Sequence, residues 1–154
     1  MNKKLLSACL AVAVGAGAGY ALNAFAQAKP DTLVKQRQAV MILQAKYFYG
    51  SLRPMAQGKR PYDAKTVARD VTYLDALSRM PWDGFTPETK DIQSRALPAV
   101  FSESAKFKEG ADRLQSEITK LVAVHKSGDE AAIKSQVLAV DKVCGGCHED
   151  FRSK

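Results

Sequence analysis

Residues 130–152 read EAAIKSQVLAVDKVCGGCHEDFR. Ile133, Val137, Val140, Cys144, His148 and Phe151 recur at steps of three and four, the period of one helix face. Ser127-Gly128-Asp129 supplies a stop, a turn and an N-cap just before it, so a helix is predicted from about Glu130 to Phe151. Cys144, Cys147 and His148 stand three and four residues apart, which puts all three on that face. Between them lie Gly145 and Gly146, each costing ~1 kcal/mol relative to alanine inside a helix. Such a cost is tolerated where a flat group must lie close to the backbone.

Cys144-Gly145-Gly146-Cys147-His148 is the attachment signature of c-type haem. The helical spacing lets each sulfur bond one vinyl group of a single porphyrin, and lets the His148 imidazole reach the iron as proximal ligand. One covalent haem c per chain is expected. Other readings of the motif fit less well. A thioredoxin-like CxxC belongs beside a βαβ pattern, and none is present. Zinc wants four ligands, and only His125 remains as a further nitrogen. A plain disulfide needs neither the adjacent histidine nor the helical setting.

Working outward, three more amphipathic segments appear. Val34, Met41, Ala45, Phe48 and Leu52 mark a helix from about Asp31 to Ala56, which Pro54 should kink or end. After a turn at Gly58–Pro61, Asp63 caps a second helix to about Met80, with Val67, Val71, Leu74 and Leu77 as its stripe. A third runs from about Phe101 to Lys126 on Ala111, Leu114, Ile118, Leu121 and His125. Pro81 to Pro98 is a long loop holding Trp82, Gly84 and Phe85; loops of that length are uncommon and often functional. The fold class expected is all-α, an antiparallel up-down-up-down four-helix bundle.

The chain has 154 residues, which suggests one domain. Lys3 and Lys4, an apolar run from Leu5 to about Leu22, and the small-residue sites Ala24-Phe25-Ala26 and Ala26-Gln27-Ala28 give the layout of a cleaved secretory signal. The expected division is signal 1–26, with cleavage after 28 as the other option, and a haem domain 27–154. An uncleaved membrane anchor is the competing reading. Leu6-Ser7-Ala8-Cys9 imitates a lipoprotein box, but too little apolar chain precedes it, so lipidation is rejected. Removing Lys3 and Lys4 leaves 21 basic residues against 16 acidic, a net +5. No basic stripe interleaved with aromatics appears, so nucleic acid is not an expected partner; an anionic partner surface is compatible with the charge.

The C-terminal motif behind a signal and a helical bundle resembles the class II cytochromes c, the cytochrome c-prime family. Val34–Gln38, Pro61–Ala64, Met80–Phe85 and Cys144–Arg152 carry the resemblance across the mature chain. The family's distal residue stands four after the first-helix arginine, and counting from Arg37 gives Met41. A methionine there implies the low-spin branch with Met41 as axial ligand; the alternative is Met41 as a bulky packer over five-coordinate iron. Bundle geometry sets two of the other candidates aside and leaves Met80, the last residue before Pro81, beside Met41. His125 stands at the wrong end, since Glu130 to His148 spans about 27 Å of helix. Met55 is likewise remote, and Met80 remains as a control. The resemblance places Arg37 near a propionate, the alternative being a solvated helix charge. It sets Trp82 and Phe85 over the haem edge, Phe151 beside the haem and Arg152 on the proximal side. It also implies pairing of two copies through the first two helices.

The function expected is periplasmic one-electron transfer with His148 and Met41 as axial ligands, serving periplasmic or membrane-bound redox proteins, without lasting membrane insertion. The alternative is a five-coordinate haem protein binding nitric oxide or carbon monoxide. An enzyme, such as a peroxidase, is not expected, because the apolar first-helix face supplies no acid–base group.

Overall fold

The computed structural model describes residues 28–154; the expected signal, 1–26, and Cys9 lie outside the described residues. The first rod of the bundle is continuous but not uniform. It comprises α1 (Pro30–Tyr47), a π turn (Phe48–Leu52) and α2 (Arg53–Ala56). Pro54 explains the π turn. Proline has no N–H and its ring crowds the carbonyl four residues back, that of Gly50. The helix widens by one residue so that the Arg53 N–H donates to the Phe48 carbonyl. The freed Gly50 carbonyl accepts from Arg60 Nη1 at 3.1 Å. The chain therefore absorbs the proline instead of ending there.

The second rod, α3 (Ala64–Leu77), opens where expected: Asp63 accepts from the Thr66 N–H at 2.6 Å. It ends three residues short of Met80, and Ser78–Met80 turn into the loop. That loop holds two 3-10 turns, Trp82–Gly84 and Pro87–Thr89. A short α4 (Ala99–Ser102) precedes the third rod, α5 (Ser104–His125). The fourth, α6 (Glu130–Phe151), matches its predicted span, with Asp129 accepting from the Ala132 N–H at 3.1 Å. Gly58 and Gly128 take φ of 69° and 74° in the inter-rod turns, the left-handed conformation that ends helices cheaply. The architecture is the expected all-α four-helix bundle.

The packed core lies toward one end. Phe48, Leu52 and Met55 meet Val67, Val71 and Leu74 of α3, Ile118 and Leu121 of α5, and Ile133, Val137 and Val140 of α6. Each such side chain contributes roughly 1.5–3 kcal/mol on burial. Toward the other end α1 stands away from α6, and the space between them is not filled by side chains. The Arg53–Asp141 pair, 2.8 Å apart, ties the rods where the gap closes.

Gly84 fits the loop against α1. A Cβ there would stand 2.9 Å from the Arg37 Cβ and 2.9 Å from the Leu33 carbonyl oxygen. Gly84→Ala is expected to destabilise the holoprotein by about 1–3 kcal/mol. This would be read as a lower urea midpoint at unchanged slope.

Candidate haem site

The space between α1 and α6 is a cavity of about 840 Å³, within the ~300–1,000 Å³ range of ligand and cofactor sites. From α6, Cys144, Cys147 and His148 face it together, as their spacing predicts. Neither cysteine is paired in a disulfide, so both sulfurs are available for thioether bonds. Burial pushes the Cys144 thiol up to about 12 and raises that of Cys147. Burial, together with the charges of Arg152 and Arg95, pulls the His148 imidazole below its ordinary value. A neutral imidazole is the form that ligates metal.

The opposite wall comes from α1: Gln38, Met41, Ile42 and Ala45, with Phe48 and Tyr49 of the π turn below them. Met41 is therefore placed in the cavity. Met80 is outside it and 56% exposed, and Met55 is buried in the core. His125 ends α5 away from the cavity, its buried Nδ1 without a partner.

Aromatic rings close the cavity on the loop side. Trp82, Phe85, Phe107 and Phe151 form a continuous series, with Phe85–Phe107 centroids 4.8 Å apart and Phe107–Phe151 5.2 Å apart. Trp82 Nε1 donates to the Ser78 carbonyl at 2.6 Å, which fixes the indole to the end of α3. Phe107 was not singled out from sequence. It stands four before Ala111, one turn further along the α5 stripe, and extending that stripe would have found it. The Gly110 backbone beside Cys147 was missed as well; a Cβ there would lie 3.6 Å from the Cys147 sulfur.

Arg37 is not a solvated helix charge. It is 3% exposed. Its Nη1 donates to the Gly84 carbonyl at 2.6 Å and to Thr89 Oγ1 at 2.9 Å, and its Nη2 to Ser94 Oγ at 3.2 Å. Its guanidinium lies 4.3 Å from the Phe85 ring centre. Burial lowers its proton affinity, yet an arginine stays charged. Among the described residues no carboxylate pairs with Arg37, Arg95 or Arg152, all three of which line the cavity. A buried cation lacking a counter-charge, beside a cavity free of acids, suits a cofactor that brings its own carboxylates.

At the mouth beside His148, the loop meets the C-terminal residues. Leu97 N–H donates to the Phe151 carbonyl at 3.0 Å, and Ser153 N–H to the Arg95 carbonyl at 2.9 Å. Phe151 is buried, while the Arg152 side chain is exposed at the cavity rim. Arg95 returns two bonds to the Ser153 carbonyl, at 3.1 and 2.7 Å. Nothing in the sequence pattern points to Arg95, since its place depends on how the loop folds.

Two thiols and an imidazole on one helix face, an apolar slot and an unpaired buried cation fit a covalent porphyrin. The fold and site together define a c-type cytochrome built on a four-helix bundle. The sequence profile described as Cytochrome C' matches residues 32–152. Cytochrome c' of Rubrivivax gelatinosus is 40% identical over 127 residues, spanning 82% of this chain and 98% of that protein. Its crystal structure superimposes with a TM-score of 0.76, covering 81% of this chain and 98% of that one. A nitric oxide complex of a leucine-to-alanine variant from Alcaligenes xylosoxidans, 35% identical, superimposes at 0.75 over 83% of this chain and 98% of that one. A carbon monoxide complex of a leucine-to-glycine variant of the same protein gives 0.74 over 82% and 98%. The chain belongs to the cytochrome c' family and carries covalent haem c.

Replacing Cys144 or Cys147 singly by alanine is expected to leave one thioether, so the mass of haem stays with the denatured polypeptide. The double replacement releases it, leaving a colourless chain by mass spectrometry.

Proposed function

We propose that the protein is a five-coordinate haem protein that binds a small diatomic gas, nitric oxide or carbon monoxide, with His148 as the fifth ligand and Met41 as a packing residue on the distal side. Bound haem supplies an iron centre that changes oxidation state by one electron and takes up a sixth ligand. The observation that carries the reading is the apolar α1 wall of Met41, Ala45 and Phe48 facing His148 across the cavity. Support comes from similarity to a protein with solved nitric oxide and carbon monoxide complexes. A small apolar gas needs little from that wall beyond room. The cavity lining offers no carboxylate, and His148 is its only imidazole. Peroxidase-type catalysis would require a distal acid–base group, so the proposal includes no turnover.

The second reading is one-electron carriage with Met41 as sixth ligand. It rests on Met41 being the methionine in the cavity wall. The proposal also places the protein in the periplasm, behind its N-terminal signal, with redox proteins as transient partners. No helix of the described residues is long and apolar enough to cross a membrane. α1 and α3 expose Ile42, at 68%, and Leu43 and Tyr73, a face suited to pairing with a second copy.

The ferric holoprotein at neutral pH is expected to show a high-spin spectrum, and the ferrous form to take up carbon monoxide. Met41→Ala should raise carbon monoxide affinity by about tenfold, the factor that ~1.4 kcal/mol represents. Met80→Ala should leave it unchanged. A low-spin spectrum with a methionine–iron charge-transfer band, lost in Met41→Ala, would transfer the assignment to electron carriage.

A further inference from the structure

The long loop meets the chain one turn beyond His148, where Ala96 and Arg152 form an antiparallel bridge. Backbone bonds flank the bridge on both sides, from the Leu97 N–H to the Phe151 carbonyl and from the Ser153 N–H to the Arg95 carbonyl. The Arg95 side chain closes the contact, with Nε and Nη2 both donating to the Ser153 carbonyl, at 3.1 and 2.7 Å. The same loop segment is anchored on α1. Ser94 Oγ accepts from Arg37 Nη2 at 3.2 Å and from the Ala96 N–H at 3.3 Å. Residues Ser94 to Leu97 therefore tie the α1 wall of the cavity to the end of α6.

We infer that Arg95 is a positioning residue for the proximal ligand: its grip on the Ser153 carbonyl holds the final turn of α6 and so fixes the orientation of the His148 imidazole. The inference rests on His148 being the fifth ligand and not on what occupies the sixth position. The last turn of a helix has carbonyls without intrahelical partners and is the first to fray. His148 stands in that turn: α6 ends at Phe151, and the His148 carbonyl accepts from the Arg152 N–H at 3.2 Å. Cys144 and Cys147 lie further in, and their thioether bonds would hold whatever the helix end does. An imidazole has no such tether, so its direction depends on the backbone that carries it. Groups outside the ligand set commonly orient metal-bound histidines in this way. Two donors of one planar guanidinium on a single carbonyl restrain that backbone more closely than one flexible donor does. Arg95 is exposed and also lines the cavity, so its charge could act on the site without the grip. Arg95→Lys separates the two effects, since it keeps the charge and loses the fork.

The test is proton magnetic resonance of the ferric holoprotein, in which iron displaces the ring signals of a ligating histidine far from their ordinary range with five ligands or six. Arg95→Gln is expected to shift and broaden the His148 ring signals. Hydrogen exchange over residues 149–154, followed by mass spectrometry, should quicken about tenfold as the helix end opens. Arg95→Lys should give the same changes. Lys120→Gln, on α5 and paired with Glu117, should give neither. Unmoved His148 signals in folded Arg95→Gln overturn the inference even where exchange quickens, because the residue then holds the chain without directing the ligand. Signals restored in full by Arg95→Lys overturn it in favour of charge alone. Where Arg95→Gln fails to fold, Arg95→Lys decides: unmoved signals overturn the inference. Undisplaced His148 signals in the unsubstituted protein would instead overturn the ligation on which the inference rests, whereas the haem methyl shifts of the same spectrum report the spin state and judge the sixth position separately.

Discussion

A gap between α1 and α6 governs the rest of this structure. The space between them is about 840 Å³, toward the upper end of ordinary cofactor sites, and its walls bring two cysteine sulfurs and one imidazole to a single helix face. The bundle is thus built around a guest, and its amino acids make sense as the lining of that guest's berth. Four aromatic rings, the buried Arg37 and the α6 face all point into one space.

The slot carries a positive charge in its wall as well as apolar rings. Arg37 has only neutral oxygens around it, the Gly84 carbonyl and the hydroxyls of Thr89 and Ser94. Those bonds hold the long loop on α1, so one side chain organises both the loop and the electrostatics of the slot. Leaving such a cation without a carboxylate would be costly in a dry interior. The same residue therefore fastens the loop to α1 and lines the cavity.

Much of this was legible in the sequence where a local rule and the global fold agree. The fourth helix was bounded correctly because Asp129 caps it and its stripe ends at Phe151. Cys144, Cys147 and His148 were found because their spacing is itself the geometry. The first helix was legible in its stripe but not in its π turn. Proline signals a break, whereas the chain here had a nearby arginine to satisfy the orphaned carbonyl. Arg37 was legible as a position and not as an environment, because its burial depends on a loop 47 residues away. Arg95 escaped for a related reason: its place depends on segments brought together by tertiary packing. Met41 was legible as a position facing the cavity and not as a role, since a thioether on an apolar face is written the same way whether it coordinates or packs.

The contacts that close the bundle differ in how far they reach along the chain. α5 and α6 meet across a short turn, a closure that is cheap in entropy. Joining the first rod to the fourth asks for more: the clasp between Arg53 and Asp141 closes a loop of 88 residues, and the packed core brings Phe48, Leu52 and Met55 to Ile133, Val137 and Val140 across similar spans. A porphyrin bonded to the fourth rod and faced by the first would bridge that same separation.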